Sequence, residues 1–120
     1  DENTTLFSDL NHPYYAAQRE KVRVKILLGN ALARAKEIRA IEKKNQLFDV
    51  CFLDPFSPKV CGELWTEDFL KDIYILLKQE GVLTTYSCAR IVRDNLTKVG
   101  FTVKDGPCIG RRAPSTIGEK

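Results

Sequence analysis

Short apolar runs rich in strand-forming residues alternate along the chain with segments of helical periodicity, and this alternation restricts the possible folds more than any other feature. In residues 22–28, Val22, Val24 and Ile26 fall on one face of a strand. From residue 31 to about residue 44, apolar residues instead recur at three-residue spacing. The predicted elements are strand 22–28, helix 31–44, strand 48–53, helix 67–78, strand 82–86, helix 89–99 and final antiparallel strands at 101–103 and 109–117.

Local signals set the expected limits of these elements. Thr66 is a predicted N-cap, and acidic residues follow it in the first turn, where they suit the helix dipole. Gly81 and Gly100 are predicted to end the second and third helices. The run FDVCFL at 48–53 is rich in strand formers and predicts a strand buried on both faces. The sequence therefore predicts an α/β sheet with right-handed crossovers.

The carboxyl ends of the predicted strands carry the first functional indication. These ends hold Gly29-Asn30, Asp54-Pro55-Phe56 and Ser87. Ligands bind outside the carboxyl ends of the strands in sheets of this kind. The pattern therefore predicts a binding site there without identifying a reaction.

Composition excludes several classes of protein. The longest apolar runs are a few residues, too short for a transmembrane helix, and no basic-then-apolar leader indicates a signal peptide. The net charge of +3 does not by itself establish a nucleic-acid partner. The chain begins at Asp1 and contains no Met, which favours a processed or excised segment.

The cysteines predict neither a metal site nor a disulfide framework. The 4 cysteines are widely separated, form no C-x-x-C pair and have His12 as the one histidine to assist them. Cys51 lies in an apolar run and is interpreted as a small core residue. A reducing cytoplasm is therefore the expected location.

A specific family resemblance is carried by FDVCFLDPFSPKVCGELWT at 48–66, LLKQEGVLTTYSCARIVRDNLTKVGFTV at 76–103 and the triplet Gly110-Arg111-Arg112. Together they resemble the methyltransferase domain of MnmC-type tRNA-modifying enzymes, over roughly residues 22–118. The resemblance implies a Rossmann-like fold and S-adenosyl-L-methionine as cofactor. It also implies methylation of the aminomethyl nitrogen of a modified wobble uridine in tRNA, which forms methylaminomethyluridine without a metal.

The resemblance covers only part of such a fold. Methyltransferases of this class open with a strand, a glycine-rich turn, a helix and a second strand, and this chain has no G-x-G motif. Residues 22–120 resemble the C-terminal portion of the domain, whereas residues 1–21, with Asp9 and His12, form an N-terminal segment of uncertain structure. A second polypeptide or a second copy could complete the domain. The isolated chain is expected to bind S-adenosyl-L-methionine weakly and to associate through an apolar sheet edge.

Gly29-Asn30-Ala31 is similar to the G-D-A turn with which the family contacts the adenine of the cofactor. In that turn an acidic side chain accepts from the adenine amino group, and the next backbone N–H donates to the ring. Asn30 departs from the pattern, but its amide oxygen can still accept a hydrogen bond. The alternative interpretation of Asn30 is a turn or helix-cap residue.

Asp54 is the candidate catalytic residue under this resemblance. Methyl transfer to nitrogen needs an aligned, unprotonated amine, and a carboxylate can orient the amine and accept its proton. Pro55 and Phe56 are similar to the D-P-P-[YF] motif of amino-methyltransferases, in which a backbone oxygen and an aromatic face position the nitrogen. The alternative for Asp54 is a residue that caps a tight turn before Pro55.

The remaining candidates concern the substrate. Ser87 is a candidate pocket residue, and Arg111 and Arg112 are candidates for contact with tRNA phosphates, with solvated surface as the alternative. Trp65 and Phe69 are interpreted as packing residues, with stacking on a base as the alternative.

Two other functions stay open at this stage. The first is a non-catalytic α/β module for RNA binding or assembly that derives from the family, which the missing glycine-rich turn favours. The second is a methyltransferase that acts on another amine. No flavin fingerprint occurs in the chain, although bifunctional members of the family carry an FAD domain.

Overall fold

The computed structural model describes residues 4–7, 14–41 and 47–120; for residues 4–7, 14, 15 and 41 it describes the backbone alone. The strands in these residues are β1 (Thr4–Phe7), β2 (Tyr14–Arg19), β3 (Val22–Leu27), β4 (Phe48–Phe52), β5 (Leu77–Thr85), β6 (Thr102–Asp105) and β7 (Thr116–Glu119). The helices are α1 (Ala31–Ile41), α2 (Glu67–Leu76) and α3 (Arg90–Val99), and a 3-10 turn (Gly62–Trp65) precedes α2. From β3 onward, the order of elements agrees with the predicted alternation. The predicted place of strand 22–28 in the α/β sheet is wrong, because β3 pairs with β2 in a separate antiparallel sheet.

The first sheet is an antiparallel meander in the order β1-β2-β3. β2 and β3 form a hairpin that pairs Arg19 with Val22 across a turn in which Glu20 has φ of 54°. The proposed boundary between residues 21 and 22 falls at this turn. Asp9 and His12 of the N-terminal segment lie outside the described residues. Alternate residues of β3 are exposed on one face, as the sequence pattern places Val22, Val24 and Ile26 together.

The second sheet has the order β4-β5-β7-β6. β4 and β5 are parallel, whereas β7 lies between β5 and β6 and is antiparallel to both. The prediction of two final antiparallel strands is therefore confirmed, but β7 begins at Thr116 and not near residue 109. This mixed sheet with its crossover helices is part of a Rossmann-like fold, as predicted.

The core lies on one face of the second sheet. α2 contacts both α1 and α3. Buried side chains of the helices, strands and connecting segments form one cluster: Ala35, Leu53, Trp65, Phe69, Leu70, Leu77, Leu83, Val92, Leu96 and Phe101. Burial of this apolar area is the main stabilising contribution to the fold.

The other face of β4 is uncovered, so the prediction of a strand buried on both faces is wrong for this chain. Phe48, Val50 and Phe52 alternate along the strand and are exposed, Phe52 by 80%, although Phe48 and Val50 also border a cavity beside α1 and α2. Leu53, which follows the strand, is buried in the core. The reason is topological, because within the described part of the chain β4 is an edge strand that pairs with β5 alone.

Helix limits follow the predicted caps at some ends only. The Thr66 hydroxyl accepts from the Phe69 N–H at 3.3 Å, and Gly100, with φ of 122°, follows the last residue of α3; both predictions are confirmed. Gly81 does not end α2, because the helix stops at Leu76 and Gly81 lies within β5. A Cβ atom at Gly81 would be 2.7 Å from the Lys78 carbonyl oxygen, so close backbone approach requires glycine there.

The inward face of α3 combines apolar residues with one buried amide. Val92 and Leu96 are fully buried, but Ile91 is 54% exposed and Asn95 is buried in its place. The Asn95 side-chain amide donates to the Trp65 carbonyl at 2.9 Å, which satisfies a buried polar group. No helix in the described segments is both long and apolar enough to cross a membrane.

Candidate functional site

The carboxyl ends of β4 and β5 meet at one cavity. Because the two strands are parallel and the Leu53 N–H donates to the Thr84 carbonyl at 2.9 Å, Asp54 follows β4 beside Tyr86, which follows β5. The cavity has a volume of about 330 Å³. Its lining residues are Asp54, Thr84, Thr85, Tyr86, Pro107, Ser115 and Ile117. The candidate site thus lies where parallel strands end, as the sequence predicts.

Asp54 is exposed at this cavity. Its Oδ1 atom accepts from the Tyr86 backbone N–H over a long distance of 3.4 Å. Burial, together with the negative charge of Asp54 as a smaller cause, raises the pKa of the nearby Cys51 thiol to about 11. Because the hydrogen bond to Oδ1 is long, it is weak, and the Asp54 carboxylate remains able to accept another hydrogen bond.

The loop after Asp54 is held by two aromatic side chains. The Tyr86 hydroxyl donates to the Pro55 carbonyl at 2.9 Å, and the indole N–H of Trp65 donates to the Phe56 carbonyl at 2.8 Å. Trp65 is 2% exposed, which agrees with a packing residue, while the Phe56 ring is 77% exposed. The loop therefore has a fixed backbone and one free aromatic ring.

Ser87 is buried and already bonded. Its hydroxyl accepts from the Ala89 N–H at 3.3 Å, and its carbonyl accepts from the Thr116 hydroxyl at 2.6 Å. These bonds join the end of β5 to the start of α3 and to β7. Ser87 thus supports the walls of the site, and its backbone is one residue from Tyr86.

The loop between β6 and β7 carries the two candidate arginines. Arg111 and Arg112 are both exposed, and the Arg111 guanidinium lies 6.0 Å from the centroid of the Tyr86 ring. It also donates to the Pro114 carbonyl at 3.2 Å. The structure therefore brings Arg111 near Asp54 through Tyr86, although the two are distant in sequence.

Arg93 is a supporting residue that the sequence analysis did not identify. Its guanidinium binds the Asp105 carboxylate at 2.6 Å, the Thr116 hydroxyl at 3.0 Å and the Ser115 carbonyl at 3.1 Å. These contacts clamp the two ends of the loop that carries Arg111. A basic residue in the first turn of an amphipathic helix gave no sign of this long-range role.

The candidate cofactor turn lies between β3 and α1. Gly29 has φ of 118°, a conformation that favours glycine. The Asn30 Oδ1 atom accepts from the Leu32 N–H at 2.8 Å, which is the capping geometry foreseen as the alternative. The oxygen keeps a second lone pair, and Ala31 is the first residue of α1, where backbone N–H groups have no partner within the helix. A donor and an acceptor at adjacent positions fit the edge of an adenine ring.

Arg34 is a second residue that sequence reasoning missed. It is 5% exposed, and its guanidinium donates to Glu37 at 2.7 Å, while its Nε and Nη1 atoms have no hydrogen-bond partner among the described residues. It lines a cavity of about 280 Å³ between α1, α2 and β4, together with Ala31, Phe48 and Val50. Arg34 lies one helical turn before the apolar residue Ile38, and this spacing was the available indication in the sequence that its side chain is buried. Ala31 and Asp54 thus line different cavities.

Metal ligands do not cluster in the part of the chain that the structure covers. No group of three or more His, Cys, Asp or Glu residues there could hold a metal ion. All 4 cysteines are free thiols. The candidate functional side chains around the Asp54 cavity are acidic, aromatic and basic groups.

Comparison with known proteins identifies the family. A family described as S-adenosyl-L-methionine-dependent methyltransferase matches residues 6–120. The chain belongs to this methyltransferase family. S-adenosyl-L-methionine is accordingly the cofactor of the family, as the resemblance implied.

Several known proteins resemble the chain in sequence. An uncharacterised protein of Methanocaldococcus jannaschii is 30% identical, over 97% of this chain and 36% of that protein. The Leptospira interrogans protein named tRNA 5-methylaminomethyl-2-thiouridine biosynthesis bifunctional protein MnmC is 30% identical, over 88% of this chain and 15% of its own length. The corresponding Campylobacter concisus protein is 39% identical over 60% of this chain and 12% of its length.

A solved structure shares the fold. The crystal structure of MnmC2 from Aquifex aeolicus superposes with a TM-score of 0.72 and is 36% identical. The match covers 84% of this chain and 32% of that one. The chain thus spans about a third or less of the length of these relatives, and both the resemblance to MnmC-type enzymes and the Rossmann-like fold are confirmed.

Proposed function

We propose that the protein transfers a methyl group from S-adenosyl-L-methionine to the aminomethyl nitrogen of a modified wobble uridine in tRNA, forming methylaminomethyluridine. The observation that carries this proposal is Asp54, exposed at a cavity at the carboxyl ends of two parallel strands in a chain of this methyltransferase family. The names of the Leptospira and Campylobacter relatives support the substrate class.

The cofactor would be held in part by the turn between β3 and α1. S-adenosyl-L-methionine supplies an electrophilic methyl group on a sulfonium, so the reaction needs no separate activation of the leaving group. Asn30 would accept from the adenine amino group with its free lone pair, and the Ala31 N–H would donate to the ring. Gly29 would allow the backbone to turn at that point.

Asp54 would orient the substrate amine and receive its proton. Nitrogen attacks through its lone pair, which is available only in the unprotonated amine, and its N–H becomes more acidic than in the free amine as the new bond forms. A carboxylate at the cavity can hold one N–H and remove the proton. The exposed ring face of Phe56 would lie beside the positive charge that develops on nitrogen. Pro55 would set the direction in which the backbone approaches the substrate amine.

The tRNA would lie over the loop between β6 and β7. Arg111 and Arg112 are exposed cations on this loop, and Arg111 lies beside Tyr86, which lines the cavity. Guanidinium groups bind phosphates through charge-assisted hydrogen bonds. Ser87 would contribute indirectly, since its bonds hold Tyr86 and the loop in place.

The isolated 120-residue chain would bind the cofactor weakly. It contains no glycine-rich turn of the kind that approaches the methionine part of the cofactor, and we propose that further polypeptide supplies it, from the same or a second chain. Activity is therefore to be measured with the full-length natural protein, for which we propose a cytoplasmic location.

The test replaces Asp54 by asparagine. Asp54→Asn keeps the size and an acceptor oxygen but removes the charge, so single-turnover methylation of a tRNA that carries aminomethyluridine should fall about 100- to 10,000-fold. Cofactor affinity and the melting temperature should be unchanged, because the carboxylate is exposed and faces the substrate. Asp49→Asn is the matched control, since Asp49 lies on β4, the strand that Asp54 follows, and pairs with Lys78 at the surface, at 3.3 Å.

The alternatives give other outcomes. If Asp54 only caps a turn, the Asp54→Asn protein would methylate at the parent rate. A parent protein that binds this tRNA but never transfers a methyl group would favour the non-catalytic RNA-binding module. Methyl transfer to a protein or a small amine, with none to the tRNA, would favour a different substrate for the same chemistry.

A further inference from the structure

Tyr86 contacts both residues at the start of the loop that follows β4. Its hydroxyl donates to the Pro55 carbonyl at 2.9 Å, and its backbone N–H approaches Asp54 Oδ1 at 3.4 Å. No other residue in the described ranges donates to both Asp54 and Pro55. Tyr86 therefore links the end of β5 to the candidate catalytic carboxylate.

The ring of Tyr86 is held independently of its hydroxyl. The Trp65 ring meets it edge to face, with centroids 6.3 Å apart and planes at 83°. The Arg111 guanidinium lies on another side, 6.0 Å from the centroid. Removal of the hydroxyl alone would leave these contacts in place, so its role can be tested separately from packing.

The hydrogen bond to the Pro55 carbonyl restricts backbone rotation in the loop just after Asp54. The pyrrolidine ring fixes φ of Pro55, so rotation about ψ is the main remaining motion next to Asp54. The Tyr86 hydroxyl holds the carbonyl oxygen on one side of Pro55, and Trp65 holds the next carbonyl, that of Phe56, at 2.8 Å. Together these bonds fix the backbone of the segment that directly follows Asp54.

We propose that Tyr86 is a positioning residue for methyl transfer, which acts by fixing the Pro55 carbonyl so that the Asp54 carboxylate points at the substrate amine. This inference rests on the proposed function of Asp54. In this role Tyr86 transfers no proton and does not contact the methyl group. A small misplacement of a catalytic group is sufficient to slow a reaction, because the reacting atoms must be aligned.

The test compares Tyr86→Phe with Tyr74→Phe in the full-length natural protein. Loss of one neutral hydrogen bond should lower kcat for tRNA methylation about 3- to 10-fold. The KM for S-adenosyl-L-methionine and the melting temperature should stay at the parent values. Tyr74→Phe is the control, because the Tyr74 ring packs on Phe101 at 5.0 Å, on the helical side of the sheet, and should leave kcat unchanged.

A double-mutant cycle separates positioning from support of the fold. If Tyr86 acts through Asp54, Tyr86→Phe should cause no further loss in the Asp54→Asn protein. The inference is overturned if Tyr86→Phe keeps the parent kcat, if its loss persists in full in the Asp54→Asn protein, or if the loss comes with a lower melting temperature. A parent protein without methyl transfer to tRNA would instead overturn the proposed function, and this inference with it.

Discussion

Residues of one chemical type have different roles in this chain because their surroundings differ. Asp54 is exposed at a cavity, whereas Asp72 is buried between two cationic side chains from another helix. Among the aromatic residues, Phe56 is exposed, while Phe69 is buried in the core. The residue type and its place after a strand indicated Asp54, but the burial of Asp72 depends on contacts between segments that are distant in sequence.

Cys51 should be an unreactive thiol in the folded protein. Burial raises its pKa to about 11, with the charge of Asp54 as a second cause, so about one molecule in a thousand carries the reactive thiolate at pH 8. Cys108 is exposed and should react faster. Peptide mass spectrometry after brief treatment with iodoacetamide at pH 8 should show modified Cys108 and intact Cys51.

Unfolding provides the control for this experiment. In strong denaturant both cysteines should be modified at similar rates, because burial no longer protects Cys51. Equal modification of the two thiols in the native protein would contradict the assigned environment of Cys51.

At the scale of elements, one buried carboxylate joins α1 to α2. Asp72 on α2 binds Lys36 at 3.0 Å and Arg39 at 2.8 Å, both on α1. Burial tends to raise the pKa of Asp72, but hydrogen bonds from Arg39 and Lys36, together with their positive charges, outweigh it and lower the pKa below its usual value. The three-residue spacing of α1 predicted a helix, yet it did not indicate which helix its basic face would meet.

Asp72→Asn should destabilise the protein at neutral pH by about 1–2 kcal/mol, since charged hydrogen bonds are lost but both cations are partly exposed to water. The folded pKa of Asp72 lies below the unfolded value of about 3.9, so its contribution is fully present above that pH and disappears as the pH falls through the folded pKa. Urea unfolding should therefore show a clear difference between parent and variant at pH 7 that shrinks below about pH 4.

Asp94→Asn is the matched control for Asp72. Asp94 is an exposed helix residue that lies 3.8 Å from Arg90, and its replacement should change the free energy of unfolding by less than about 0.5 kcal/mol. A difference between parent and Asp72→Asn that stays constant from pH 7 to pH 3 would show that the carboxylate charge does not hold the two helices.

At the scale of the whole molecule, the fold leaves apolar surface uncovered. The radius of gyration is 15.5 Å, against about 13.6 Å expected for a compact domain of 120 residues. On one face of β4, Phe48, Val50 and Phe52 are exposed, and within the described residues the other edge of β4 has no strand partner. Large apolar patches and open strand edges are typical of surfaces that bind other polypeptide.

The isolated chain should associate through this face at micromolar concentrations. Phe52→Lys places a charge on the exposed face and should shift sedimentation toward the monomer. Ile109→Lys is the matched control, because Ile109 is also 80% exposed but lies in the loop between β6 and β7. A parent chain that is monomeric at these concentrations, or equal effects of both substitutions, would contradict association through β4.

The sequence by itself determined the features that depend on neighbouring residues. The alternation of strands and helices, the Thr66 cap, the Gly100 terminus and the strand-end position of Asp54 follow from local periodicity and backbone preference. The family resemblance was carried by the loop after β4, which is also a local motif. Each of these could be predicted because its cause lies within a few residues.

Only the tertiary structure decided which surfaces meet. The uncovered face of β4, the burial of Asn95 and Arg34, and the bond from Tyr86 to Pro55 join residues that are far apart in sequence or depend on how elements pack. The early end of α2 also has this origin, since Leu77 leaves the helix to pair with Phe48 of β4. Packing of apolar surface and satisfaction of buried polar groups select these contacts, and a pattern read along one segment does not contain their partners.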